Sequence, residues 1–167
     1  MDYTIVLLRL LHIIAGVAWV GLAAVLALFV VPTVLKTGES GMRFLRSLLT
    51  NTSLLLPILS VLTVIPGALL YIVGDAASRF SSTGNIVLGM GAVAGILAGI
   101  QGGAVTRRMM AVLKNELMQH IPDEVQPISA DSLSSLQDRA KQLVSGARIT
   151  FVLTTIALLG MAAARYL

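Results

Sequence analysis

LLHIIAGVAWVGLAAVLALFVVPTVL, running from Leu10 to Leu35, is twenty-six residues without a formal charge, and it decides the fold. About twenty apolar residues in helical conformation cross a hydrocarbon core of ~30 Å, so this stretch reads as a transmembrane helix. Outward from it, Ser47–Gly74 and Phe80–Thr106 are uncharged too. Ile149–Ala164 is uncharged between Arg148 and Arg165, whose long side chains can snorkel from its ends. The expected fold is an all-α membrane protein, a single domain over residues 1–167 with four transmembrane helices in an up-down bundle. Spans are expected near 4–35, 50–74, 84–118 and 133–167, extensions included.

Composition agrees. The chain is 56% hydrophobic and 12% charged, whereas soluble domains carry about 25% charged residues. The net charge of +4 does not point to nucleic acid, because the basic residues flank apolar runs and have no interleaved aromatic residues. The chain has no cysteine, which excludes disulfides, thiolate metal sites and cysteine nucleophiles. Nucleotide-binding loops, nucleophile motifs and zinc-protease signatures are also missing from the sequence. The start, Met1-Asp2-Tyr3, carries no basic n-region, so the first run reads as a retained helix.

With four spans, Arg9, Arg79 and Arg165 fall on the side of the termini. Lys36, Arg43, Arg46, Arg107, Arg108, Lys114, Arg139, Lys141 and Arg148 fall on the other. The positive-inside rule then makes the first and third connections cytoplasmic and both termini non-cytoplasmic, in a prokaryotic inner membrane. Tyr3, Tyr71 and Tyr166 mark outer helix ends, where an amphipathic ring suits the headgroup level.

Pro57 and Pro66 predict kinks in the second span. In the third, Gly91, Gly95, Gly99 and Gly103 recur every four residues and form a face for close helix packing, within the bundle or at a subunit interface. Helices three and four are expected to continue past the bilayer as a cytoplasmic hairpin. Pro122 and Pro127 would delimit its turn, Asp131 or Ser134 would cap its second helix, and Ser145–Gly146 would be its flexible point. Leu133, Leu136, Ala140, Leu143 and Val144 would be that helix's apolar stripe.

An imidazole is expensive in hydrocarbon, which makes His12 the leading functional candidate. Arg9, Gly16 and Trp19 share its helix side at helical spacing and are the accompanying candidate cofactor contacts. His12 lies nine residues from Tyr3, about 13 Å below the outer interface at ~1.5 Å per residue. Met90 and Met161 reach similar depths, and a thioether is a soft ligand for copper or haem iron. Against this stands the plainer reading of His12 as a polar packing contact and of the methionines as adaptable filler. His120 beside Asp123 and Glu124 reads as a solvated loop, and Arg107, Arg108 and Lys114 as orientation signals and contacts to anionic lipid.

Leu7–Gly21, LLRLLHIIAGVAWVG, resembles the first helix of the copper-resistance protein D-like superfamily, with Pro66–Gly67 and the Ala164–Leu167 ending as looser likenesses. The superfamily includes copper-handling proteins and the four-helix membrane protoporphyrinogen oxidases. Membership implies that His12 ligates haem b or copper in electron transfer, oxidation or metal handling. Where those oxidases carry an Asn-Glu-Pro-Thr-type motif, this chain reads Gly146-Ala147-Arg148-Ile149-Thr150, so the resemblance names no reaction. The competing expectation is a cofactor-free accessory or assembly subunit, docking through the Gly91/Gly95/Gly99/Gly103 face. Expected partners are the lipid bilayer and a second copy or a larger membrane complex.

Overall fold

A computed structural model describes residues 2–73, 81–121 and 127–167, and every regular element among them is helical. The α-helices are α1 (Tyr3–Val25), α2 (Val31–Thr37), α3 (Glu39–Thr52), α4 (Leu55–Val73), α5 (Thr83–Ile100), α6 (Arg107–His120) and α7 (Ala130–Ala163). A π segment, Leu26–Val30, joins α1 to α2, and another, Gln101–Thr106, joins α5 to α6. Among the described residues four helices are thus long and apolar enough to cross a membrane: Tyr3–Thr37, Leu55–Val73, Thr83–His120 and Ala130–Tyr166.

Each π segment has a local cause. The Val31 N–H reaches back five residues to the Leu26 carbonyl just before Pro32, whose ring crowds the preceding turn. In the third span the Arg107 N–H reaches the Gly102 carbonyl across Gly102 and Gly103, which bring no side chains to oppose the wider turn.

Two packing regimes follow one another along the rods. The largest fully buried side chains, Met42, Leu45, Leu113, Leu117, Ile121 and Leu136, all belong to α3, α6, the residue after it, and the start of α7. Together with Val34, Leu49, Ala140 and Leu143 they form one apolar core, as in a protein surrounded by water. In the apolar spans the pattern inverts. Small residues are buried there, among them Ala15, Ala23, Gly91, Ala94, Ala98 and Ala157. Large ones face outward: Ile14 and Val17 are 67% and 66% exposed. This arrangement fits a lipid surround, in which helices associate through close packing and gain nothing by hiding leucine.

The second span starts at Leu55, later than the sequence suggested, because Glu39–Thr52 is a helix of its own. Met42, Leu45 and Leu49, spaced by three and four, place its apolar face on the core. Gly38 makes the preceding corner with φ 61° and ψ −127°, a conformation open in practice to glycine alone. Gly38→Ala is expected to cost about 1–3 kcal/mol in thermal unfolding of the detergent-solubilised protein. Next to the corner, Arg43 Nη2 donates to Glu39 Oε1 at 2.6 Å. This bond, more than the other influences on it, holds the Glu39 carboxyl below its ordinary range. Its small stabilising effect is present at neutral pH and is lost as acid protonates the carboxylate.

Two other expectations change. Pro57 occupies the first turn of α4, where no intrahelical donor is missed, so in that helix Pro66 alone interrupts the interior. Ser129, neither Asp131 nor Ser134, caps α7, accepting from the Ser132 N–H at 3.2 Å. Ser129→Ala is expected to lower stability by about 1 kcal/mol in the same assay. Helix α7 is one continuous helix from the hairpin into the fourth span, through Ser145–Gly146. A Cβ on buried Gly146 would lie 3.2 Å from Met109 Sδ and 3.3 Å from Thr106 Oγ1, so this glycine permits close packing there. The stripe Leu136, Ala140, Leu143 and Val144 is buried as expected, with Leu133 packed against it. Gly74, Arg79, Phe80, Pro122, Asp123 and Glu124 lie outside the described residues.

Candidate functional site: the His12 cavity

The broadest helix contacts pair α1 with α4 and α5 with α7. On α1, Ala15, Trp19 and Ala23 form the buried stripe, and half-buried His12 lies at its outer end against α4. Its Nδ1 lies 2.7 Å from the Thr63 carbonyl oxygen. A carbonyl only accepts, so Nδ1 carries the proton and Nε2 of the neutral ring keeps a lone pair.

Two adjacent residues of α4 make room for the ring. Pro66 lacks the N–H that the Leu62 carbonyl would otherwise receive, one residue before Thr63. Gly67 removes the side chain that would stand in the imidazole's place: a Cβ there would lie 2.6 Å from both Nδ1 and Cε1 of His12. The Pro66–Gly67 pair is therefore a seat for the histidine.

His12 lines a cavity of about 580 Å³ bounded by α1, α4, α5 and α7. This lies within the ~300–1,000 Å³ range of small-molecule and cofactor sites. The lining is mainly apolar, with Val64, Ala68, Ala92 and Ala157 among its residues. The Thr63 and Thr154 hydroxyls, which also border it, donate to the Leu59 and Phe151 carbonyls at 2.7 and 2.9 Å.

Gly16, Trp19 and Met161 line this cavity with His12, so the structure brings those candidates together. Arg9 and Met90 are not among its lining residues. Arg9 is exposed, and Met90 is 66% exposed on the outward side of α5. Sequence reasoning missed Thr63, Gly67, Tyr71 and Gly89, which border the same space. Of these, Gly67 stood out in the sequence only through the Pro66–Gly67 likeness, and its neighbour Pro66 was read as a kink.

His120 engages its own helix, with Nδ1 2.9 Å from the Glu116 carbonyl. Among the described residues no group of three or more His, Cys, Asp or Glu is placed to hold a metal ion. One imidazole and one thioether are too few protein donors for the usual copper sites. Either could serve as a protein donor to haem iron, which needs few of them.

The glycine face is used within the chain at most of its length. A Cβ on Gly91 would lie 3.1 Å from the Ala157 carbonyl oxygen, and one on Gly95 3.7 Å from Ala157 Cβ, both on α7. One on Gly99 would lie 2.9 Å from Val64 Cγ2 of α4, whereas nothing lies within 4 Å at Gly103. Searches among protein-family models, curated proteins and solved structures return no match to this chain.

Proposed function

We propose that this chain is a prokaryotic inner-membrane up-down bundle that holds haem b through His12 Nε2 and serves electron transfer or oxidation. The observation that carries the reading is the Nδ1 bond to the Thr63 carbonyl on a histidine lining an apolar cavity. A hydrogen bond of this kind fixes the tautomer and orientation of a ligating imidazole and raises its basicity. Met161 borders the same cavity and is the candidate second ligand. Haem, when bound, would supply a one-electron couple, and His12 and the mainly apolar lining of its cavity would hold it. The charge distribution supports termini on the non-cytoplasmic side, and on that reading the core shared by α3, α6 and the first half of α7, with the proposed hairpin, is cytoplasmic.

Copper handling is the second reading, favoured by the shared cavity of His12 and Met161. The accessory-subunit reading keeps Gly103 as its open glycine, since Gly91, Gly95 and Gly99 face neighbours inside the chain.

Purification in mild detergent, oxidised and reduced spectra, and elemental analysis separate the three. A Soret band with iron stoichiometric to the chain is the expected result. Stoichiometric copper without the band would shift the assignment to the second reading. A colourless, metal-free protein that copurifies with a larger complex would sink both.

A further inference from the structure

Among the described residues the buried polar side chains are Ser60, Thr63, Thr106, Thr150 and Thr154, and each of them lines one of two cavities. Thr63 and Thr154 border the His12 cavity. Ser60, Thr106 and Thr150 border a second, inner cavity of about 50 Å³, which Arg107 also lines. Trp19, 4% exposed, lines both. Gly102 borders the inner cavity beside that shared tryptophan: a Cβ there would be 3.4 Å from Thr150 Cγ2 and 3.5 Å from Trp19 Cζ2.

Hydroxyls buried between membrane helices often do no more than bond their own backbone. These do so as well: Ser60 donates to the Pro57 carbonyl at 2.8 Å and Thr150 to the Gly146 carbonyl at 3.2 Å. Such a bond occupies the proton and leaves the oxygen lone pairs as acceptors. Packing alone does not require every buried hydroxyl to border a cavity, or one of the cavities to reach an arginine. A buried water needs roughly 10–15 Å³ and two to four polar partners, so the inner cavity suits about three waters.

We propose that the two cavities form a hydrated half-channel, entered from the Arg107 end and narrowed at Trp19 and Gly102, that supplies water and protons to the His12 cavity. The route holds whatever ligand that cavity carries. Its hydroxyl oxygens accept hydrogen bonds from the waters, which carry the protons, and no covalent step is involved.

The absence of cysteine from the sequence makes single-cysteine reporters clean. Ser60→Cys reads the inner cavity, Thr154→Cys the outer one, and Leu62→Cys, at a position 40% exposed on the outward side of α4, is the lipid-facing control. Silver ion is added to sealed proteoliposomes on the side from which an impermeant maleimide labels Ser135→Cys. Both cavity cysteines should react about tenfold or more faster than Leu62→Cys, because the reactive thiolate forms where water solvates it. Adding Gly102→Leu should slow Thr154→Cys to the control rate. If Ser60→Cys disturbs folding, Ala147→Cys reads the same inner cavity.

Three results would each overturn the route: a Ser60→Cys as slow as the control, a Thr154→Cys reached only from the opposite side, or a Thr154→Cys rate indifferent to Gly102→Leu.

Discussion

A Gly67→Ala variant should release the ligand of the outer cavity nearly as fully as His12→Ala, with its helix content intact. The methyl group would stand 2.6 Å from two atoms of the imidazole, whereas ordinary contact begins near 3.4 Å. The ring must therefore move by most of an ångström, and it leaves the 2.7 Å bond to the Thr63 carbonyl as it goes. Losing an outer-shell partner of this kind weakens metal affinity by about 10–100-fold. In a helix interior alanine is favoured over glycine by about 1 kcal/mol, so the fold has no propensity reason to suffer. Gly21→Ala is the matched control, because Gly21 lines the same cavity with nothing within 4 Å of its Cβ position. Spectra and iron content of the purified variants read the outcome. A Gly67→Ala protein with an undiminished Soret band would show that His12 is not the ligand. Should every variant including wild type be colourless, the haem assignment itself fails.

The membrane spans were legible because a bilayer imposes one dominant rule, a long uncharged run, and Leu10–Leu35 obeys it openly. His12 was legible for the same reason: a titratable ring stands out in hydrocarbon. Its seat was harder to read. The residues that complete the site act through what they lack: Gly67 has no side chain and Pro66 no N–H, and the acceptor for the ring is the Thr63 backbone carbonyl. A sequence carries no mark of which carbonyl faces which helix. Helix α3 was overlooked because Ser47–Gly74 looked like one uncharged run, although Met42, Leu45 and Leu49 had the spacing of an amphipathic helix. Met90 and Met161 were equal candidates by depth. Rotation about the helix axis separates them, sending Met90 outward and Met161 to the cavity, and depth says nothing about rotation.

Gly91→Leu is expected to destabilise the protein by about 3 kcal/mol, near the top of the usual range for overpacking. The reason is that its neighbours are backbone: the Ala157 carbonyl oxygen at 3.1 Å, the Met161 nitrogen at 3.2 Å and the Gly160 carbonyl carbon at 3.4 Å from an added Cβ. A flexible side chain can rotate away from an intruder, but a helix backbone must move as a unit. From the other side a Cβ on Gly160 would meet Gly91 Cα at 3.1 Å, so both faces of this crossing are closed. Pushing α5 off α7 would also spread Ala157 and Met161, which line the His12 cavity, so ligand retention should fall together with stability. Gly103→Leu, on the same helix face with nothing within 4 Å, should change stability by no more than about 0.5 kcal/mol. Unfolding in detergent, followed together with molecular mass in solution, reads both variants. A Gly91→Leu protein that keeps its stability but changes its oligomeric state would mean that this glycine face joins subunits, contrary to the close approach of α5 and α7 inside one chain.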